Sequence, residues 1–345
     1  MENLKNRIKR LHKDCIIVDA HNDMPTHVRS KRITGATKVI ENNYLSDIRA
    51  GGVNVIVAAV FVSEVDNAFT EAIEQIKCLR EDIEESNVYL ELCTNYSQIV
   101  NAIKSEKIAI VISLEGIEPI GNDLSLMKHF YDLGLRACGI CWSRKNLAAD
   151  GCGFEKEEKV NKTGLTDFGV NIIKQCEQLG MIIDVTHMSE ASFWESTSVA
   201  KGPIIASHTD SQYVFNIKRN FSDAQILEIA RKRGVIGING VNCIAAPIER
   251  NNDLTVLVDH IDRIKRIAGI DYVGLGLDLF PYFDSSYQQM SMIQDGVART
   301  PLDLIRNYGE LPKLTELLIL KGYTDIEIKM VLGDNFMRFF ENVLK

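Results

Sequence analysis

The sequence predicts a (β/α)8 barrel of the TIM type, in which parallel strands alternate with helices. Eight short segments rich in Val and Ile are apolar on both alternating faces, as strands buried on two sides are. Longer amphipathic stretches separate them. The first segment runs into DAHND (19–23) and not into the Gly-rich phosphate turn of an open doubly wound sheet, so a closed barrel is favoured.

The elements follow in order along the chain. The strand candidates are 15–19, 53–62, 108–114, 136–142, 181–186, 203–207, 235–239 and 272–277. Apolar residues at helical spacing predict helices over 67–86, 166–180, 222–234 and 255–269 and a closing helix within 333–345. Residues 283–312 lack periodicity and predict an elaborated loop after the eighth strand. No linker marks a second domain, so we expect one domain over 1–345.

Charge and hydropathy narrow the class of protein. The 47 acidic residues outnumber the 39 basic ones, which argues against nucleic acid or an anionic membrane as a partner. The longest apolar run, VIVAAVFV (55–62), is too short to cross a bilayer as a helix. The charged N-terminal stretch (1–14) lacks the apolar core of a signal peptide, so we expect a cytoplasmic protein.

The eight cysteines predict buried thiols and no disulfide framework, because several lie inside apolar segments and the expected compartment is reducing. Cys138 and Cys141, in CGIC, have a spacing that zinc and redox sites use. No second pair follows at zinc-ribbon distance, so we interpret both as core residues.

Histidines and carboxylates gather at the carboxyl ends of the predicted strands, the barrel face where active sites form. They are His21, Asp23, Glu115, His187, His208 and Asp278. A lone histidine at a strand end is usually an ordinary hydrogen-bonded residue, and His12, His27, His129 and His260 are interpreted so. The joint pattern of imidazoles and carboxylates is typical of first-row metal ligands and predicts a metal site.

The spacing of these ligands fits two ions. His21 and Asp23, two residues apart, can bind one ion, and His187 and His208, from neighbouring strands, can bind a second. Glu115 has two oxygens and can give one to each ion. Two Zn²⁺ ions are then balanced in charge by the three carboxylates and a hydroxide.

Six stretches of the chain resemble the membrane dipeptidase (renal dipeptidase) family of zinc peptidases, among the metal-dependent hydrolases. They are VDAHNDMP (18–25), LEG (114–116), LGMIIDVTHMSE (179–190), PIIASHTDSQYVFNIKRNFSD (203–223), YVGLGLD (272–278) and LGDNFMRFF (332–340). They occur in the family's order across almost the whole chain, and together they are specific.

The resemblance implies a homodimeric, binuclear zinc dipeptidase that often accepts a D-residue at the C-terminal position of the dipeptide. It implies one zinc ion on His21, Asp23 and Glu115 and the other on Glu115, His187 and His208. It further implies that Asp278 is the catalytic acid/base and that Arg219, in KRN, receives the substrate carboxylate, and we expect the adjacent Asn220 to contact the substrate as well.

The chain departs from the family at two places. Trp142 stands where the better-known animal members carry a substrate-binding histidine, and we therefore expect it to contact substrate. The family's DFDG after the eighth strand is DLFP here (278–281), which retains the first Asp and loses the second. These changes affect the substrate range more than the chemistry.

Two alternatives remain at the level of sequence. One is a mononuclear deaminase, or another amide or ester hydrolase on the same barrel. Such relatives usually begin with His-x-His, whereas this chain has His-x-Asp and a glutamate after the third strand. The other is a metal-stabilised barrel that binds peptides without cleaving them. A metal count near one per chain would support the first, and turnover of any dipeptide would exclude the second.

Overall fold

The computed structural model describes residues 2–63, 65–153, 164–279, 292–294 and 297–345. The strands are β1 (Val18–Asn22), β2 (Val55–Phe61), β3 (Leu90–Leu92), β4 (Ile108–Glu115), β5 (Leu135–Gly139), β6 (Ile182–Asp184), β7 (Ile236–Ile238), β8 (Val273–Leu275), β9 (Met292–Gln294) and β10 (Val297–Arg299). Residues Phe280 and Pro281 of the DLFP departure lie outside the described residues, as do 283–291 and 295–296 of the expected loop.

Helices surround these strands. The α-helices are α1 (Leu4–Asp14), α2 (Met24–Arg32), α3 (Val39–Asn43), α4 (Leu45–Gly51), α5 (Ala68–Glu85), α6 (Tyr96–Lys104), α7 (Leu126–Asp132), α8 (Asp167–Leu179), α9 (Glu190–Val199), α10 (Asp223–Arg231), α11 (Asn242–Ala245), α12 (Thr255–Ala268), α13 (Leu311–Leu320), α14 (Asp325–Lys329) and α15 (Asn335–Val343). A π-helical turn, Met330–Asp334, joins α14 to α15, and 3₁₀ turns cover Glu118–Ile120, Ile248–Arg250, Ile270–Tyr272 and Tyr308–Glu310.

The main sheet is parallel and curls into the predicted TIM-type barrel. Its strand order is β6-β5-β4-β2-β1-β8-β7, and every neighbouring pair along it is parallel. Ile205 bridges to Asp184 of β6, and Ala206 bridges to Ile236 of β7. Residues 205–206 therefore occupy the remaining position between the two ends of the sheet. The short β3 pairs with the start of β4, and β9 pairs with β10 in antiparallel fashion.

The predicted strand over 203–207 is wrong in extent, because only isolated bridges form there. The backbone N–H of Ser207 donates to the side-chain Oδ1 of Asp184 over 3.0 Å. A carboxylate therefore accepts the hydrogen bond that a backbone carbonyl of the adjacent strand would accept in a regular sheet. The first strand begins at Val18 and not at Cys15, because Cys15 caps α1 through a hydrogen bond to Leu11 O. The strand β3 has no counterpart in the prediction.

Both faces of the strands are buried, as their composition predicts. In β2, Val55 and Val57 belong to one apolar cluster, whereas Ile56 and Ala58 belong to another. Seven of the eight cysteines are buried, which agrees with their interpretation as core residues. In the part of the chain that the structure describes, no helix combines the length and apolar character that a membrane span requires.

Candidate metal centre and active site

The carboxyl ends of the barrel strands bring the predicted polar residues together. His21 lies near the end of β1, and Glu115 is the last residue of β4. His187 and His208 follow β6 and the 205–206 segment, and Asp278 follows β8. All five side chains are at least four-fifths buried. The structure therefore gathers them at one end of the barrel.

An irregularity in β1 aims His21 at this cluster. The pairing of β1 with β2 shifts register between Asp19 and Asn22, as at a β-bulge, which re-aims side chains. Asp19 instead accepts hydrogen bonds from Tyr308 Oη (2.6 Å) and Leu277 N (2.8 Å). Both oxygens of the buried Asp19 carboxyl, which lies beside the site, thus have hydrogen-bond donors. Asp23 lies beyond the strand, as the N-cap residue of α2, and not on it as the two-residue spacing suggested.

Glu115 faces histidines with both of its oxygens. Oε1 lies 2.8 Å from Nε2 of His187 and 3.5 Å from Nε2 of His208, and those two nitrogens are 2.9 Å apart. Oε2 lies 3.6 Å from Nε2 of His21. Donors bound to one tetrahedral zinc ion at about 2.05 Å are about 3.3 Å from one another. The observed separations are near that value.

The side of the cluster around His21 carries two further carboxylates. Nε2 of His21 lies 3.5 Å from Oδ1 of Asp23 and 3.8 Å from Oδ1 of Asp278. Donor atoms of these three residues all lie within 4.8 Å of one another. His21 Nε2 and Asp23 Oδ1 are buried and have no hydrogen-bond partner among the described residues, which is costly unless a cation satisfies them. The residues therefore fit a metal ion.

Burial keeps two of the histidines neutral. It lowers the pKa of His187 to about 3, with a contribution from the charge of Arg219, and it lowers the pKa of His208 well below its usual range. Neutral imidazole is the form that binds a metal ion. His21 differs, because the charges of Glu115 and Asp23 outweigh burial and raise its pKa well above the usual range.

Asp278 and His187 share an uncommon backbone conformation. Their φ angles are +59° and +67°, in the left-handed region that residues other than Gly seldom adopt. Such strain is found preferentially at functional sites. Burial, reinforced by the charge of Asp23, also raises the pKa of Asp278 to about 7. Oδ2 of Asp278 accepts a hydrogen bond from Nδ2 of Asn239 over 2.9 Å.

Arg219 lies beside the two histidines that face Oε1 of Glu115. Its side chain is fully buried, and its Nη2 donates to the carbonyl of His208 over 2.7 Å and lies 3.3 Å from Nε2 of His187. Nη1 donates to Thr209 Oγ1 over 3.2 Å, and Nε has no hydrogen-bond partner within the part of the chain that the structure describes. Asp223, four residues further along the chain, pairs with Arg263.

Trp142 and Asn220 occupy different positions relative to the cluster. The half-buried Trp142 ring lies 5.8 Å from the His187 ring and 5.3 Å from that of Phe61, centroid to centroid. Asn220 is fully buried, and its amide donates to the carbonyls of Phe215 (3.0 Å) and Ile244 (2.9 Å). Trp142 therefore borders the cluster, whereas the side-chain amide of Asn220 is hydrogen-bonded to two backbone carbonyls.

Sequence reasoning missed a layer of polar residues behind the ligands. These are Ser143, whose Oγ lies 2.7 Å from Nδ1 of His187, Ser207, whose Oγ lies 2.7 Å from Nδ1 of His208, Asp184, which Ser207 contacts, and Asn239. Asp184, Ser207 and Asn239 interrupt the apolar segments MIIDVT, PIIAS and VIGIN. A polar residue inside a buried strand needs a hydrogen-bond partner. The presence of these residues in apolar segments was therefore the sequence signal that could have indicated the layer.

The comparisons agree with this geometry. The family model "Membrane dipeptidase (Peptidase family M19)" matches residues 5–345. An "Uncharacterized protein in pqqA 5'region" from Klebsiella pneumoniae is 30% identical over 274 residues, 78% of this chain and 95% of that protein. "Dipeptidase 3" from Macaca fascicularis is 26% identical over 365 residues, 99% of this chain and 68% of that protein.

Solved structures share the fold. A metallo peptidase from Rhodobacter sphaeroides, liganded with a phosphinate mimic of the dipeptide L-Ala-D-Ala, superposes with a TM-score of 0.82 at 20% identity. The match covers 96% of this chain and 100% of that one. Because the family model spans nearly the whole sequence, the chain belongs to the membrane dipeptidase family, peptidase family M19, and is a metallodipeptidase, a hydrolase.

Proposed function

We propose that the chain is a binuclear zinc dipeptidase that accepts a D-residue at the C-terminal position of its substrate. The observation that carries the two-ion proposal is the orientation of Glu115. Its Oε1 faces His187 and His208, and its Oε2 faces His21. One carboxylate can therefore bridge two ions, one with His21 and Asp23 and the other with His187 and His208.

Bound zinc would supply a Lewis acid for the scissile carbonyl and would lower the pKa of water to about 7. In this proposal Asp278 moves the proton. Its Oδ1 is directed at the cluster, 3.8 Å from His21 Nε2, while Asn239 holds Oδ2. The carboxylate takes a proton from the attacking water and passes it to the leaving amine, as a general acid/base does.

Arg219 is proposed to receive the free carboxylate of the dipeptide. Its guanidinium is buried beside His187, and its Nε–H has no partner on any residue that the structure describes, so it has a donor to offer a ligand. Guanidinium groups bind carboxylates through two parallel hydrogen bonds. Trp142, which packs on Phe61 and His187, is proposed to contact the substrate as part of the pocket wall. A substrate contact of Asn220 stays a prediction.

The D-residue proposal draws on the Rhodobacter sphaeroides relative, which was solved with a mimic of L-Ala-D-Ala. Dipeptides with L- and D-residues at the C-terminal position, assayed together with metal analysis of the same sample, test the proposal. We expect hydrolysis of both series and two zinc ions per chain. A single ion at saturation would favour the mononuclear alternative, and failure to cleave D-terminal dipeptides would restrict the substrate class.

Four further predictions concern the whole protein. We propose one barrel domain over 1–345, a homodimer and a cytoplasmic location, with no nucleic acid or membrane as a partner. The net charge of −8 supports the last point. Light scattering on the purified chain measures the oligomeric state, and a mass of one chain would contradict the homodimer.

A further inference from the structure

Behind His208 lies a chain of hydrogen bonds that ends on a buried carboxylate. Oδ1 of Asp184 accepts from the backbone N–H of Thr186 (2.9 Å) and of Ser207 (3.0 Å) and from Oγ1 of Thr186 (2.6 Å). Oδ2 of Asp184 accepts from Oγ of Ser207 (2.5 Å). That same hydroxyl oxygen lies 2.7 Å from Nδ1 of His208.

The direction of these bonds follows from what each group can donate. A carboxylate only accepts, so the single hydroxyl hydrogen of Ser207 is committed to Asp184. The Ser207 oxygen can then only accept from Nδ1 of His208, which must carry a hydrogen. The hydrogen of the neutral ring is thereby placed on Nδ1, and the lone pair stands on Nε2. Nε2 is the atom that faces Glu115 and His187.

We propose that Asp184 and Ser207 are positioning residues that fix the tautomer of His208 and so make its Nε2 available to a metal ion. The inference rests on the proposed function, because it takes His208 to be a ligand. Outer partners of metal-binding histidines orient the ring in this way, and their loss typically lowers metal affinity about 10- to 100-fold.

His187 is not controlled in the same way. Its Nδ1 lies 2.7 Å from Oγ of Ser143, and that hydroxyl lies 4.0 Å from Sγ of Cys152, where either atom could donate. A hydroxyl that is not committed to a carboxylate can donate to Nδ1 or accept from it. Among the residues that the structure describes, this arrangement is therefore specific to His208, and Ser143→Ala is the matched comparison for Ser207→Ala.

The variant Asp184→Asn reverses the chain of bonds. Three donors hold the oxygen of the new amide at the Oδ1 position, so its NH₂ group replaces Oδ2 and donates to Ser207. Ser207 then donates to Nδ1 of His208, and the ring hydrogen moves to Nε2, where it opposes metal binding. Ser207→Ala removes the relay without imposing the wrong tautomer.

The test uses the full zinc-loaded chain and a graded series of a competing chelator. We expect Ser207→Ala and Asp184→Asn to lose one of two zinc ions at about 10- to 100-fold lower chelator concentration than wild type. Spectra of ¹⁵N-labelled histidine should show Nδ1–H on His208 in wild type both before and after chelation, and Nε2–H on His208 in Asp184→Asn once the zinc has been removed. Asp82→Asn, at a buried aspartate that caps the start of α3, should retain both ions.

The outcomes separate this inference from the proposed function. If wild type binds two ions and both variants match its zinc affinity, the inference is overturned and the binuclear proposal stands. An unchanged Nδ1–H signal for His208 in zinc-free Asp184→Asn overturns it equally. If wild type itself binds fewer than two ions at saturation, the binuclear proposal fails on its own measurement.

Discussion

Asn239 donates a hydrogen bond from its side-chain amide to Oδ2 of Asp278 over 2.9 Å. This bond leaves Oδ1 as the oxygen directed at His21, 3.8 Å away. Asn239 itself is held, because its own Oδ1 accepts from Val241 N over 2.7 Å. The orientation of the proposed acid/base is thus determined by Asn239, which directly follows the neighbouring strand β7.

Replacing Asp278 with Asn should separate proton transfer from metal binding. Asn tolerates the left-handed backbone at this position and is nearly isosteric, so the fold and the metal content should persist. Loss of proton transfer should lower kcat by about 10²- to 10⁴-fold. Steady-state kinetics with metal analysis measures both. Full activity with unchanged metal would show that Asp278 has no acid/base role.

Replacing Glu115 with Gln should reduce the occupancy of both ions, because an amide offers one oxygen where the bridge needs two. His208→Ala should mainly reduce the occupancy of one ion. Glu118→Gln is the control, since Glu118 lies three residues further on and pairs with Arg144 over 2.8 Å. Metal analysis after dialysis gives the counts, and a Glu115→Gln protein that retains both ions would contradict the bridge.

Arg219 should confer a preference for a free C-terminal carboxylate. A dipeptide amide leaves the buried guanidinium without its anionic partner, and we expect about 30- to 1000-fold lower kcat/KM for the amide than for the acid. Arg219→Ala should lose most of this preference by losing activity on the acid. Lysine lacks the planar fork of arginine, so Arg219→Lys should not restore it. Equal discrimination in wild type and Arg219→Ala would refute the role.

His260 should make the chain less stable in acid. Burial lowers the pKa of this histidine to about 4, and its Nδ1 accepts from the Ser211 N–H over 3.0 Å, which requires a neutral ring. In the unfolded chain its pKa is about 6.5, so below that pH the unfolded state binds more protons. The contribution of neutral His260 to the free energy of unfolding is complete above pH 6.5 and falls by about 3 kcal/mol as the pH drops towards 4.

The measurement compares denaturant unfolding of wild type and His260→Gln between pH 7 and pH 4. Other titrating groups, including Asp210 with its Oδ2 3.9 Å from His260, are common to both proteins. The difference in free energy of unfolding should therefore shrink as the pH falls. A difference that stays constant across this range would contradict the assignment.

The proposed ligands could be located from sequence because each follows an apolar segment, and parallel strands bring their carboxyl ends together. The layer behind them could not, because its partners are distant along the chain: Ser143 and His187, for example, are 44 residues apart. The sequence of residues 203–207 is typical of an ordinary strand. No local pattern reveals that the backbone N–H of Ser207 donates to the Asp184 carboxylate and not to a neighbouring strand. The three-residue β3 is too short for its periodicity to be recognised.

The central claim is that Glu115 bridges two zinc ions. Crystals of the zinc-loaded chain, measured above and below the zinc absorption edge, test it most directly. We expect two anomalous peaks about 3.5–4 Å apart, one beside each oxygen of Glu115. The first should contact His21 and Asp23, and the second His187 and His208. A single peak at full zinc saturation, or two peaks that Glu115 does not contact, would contradict the claim.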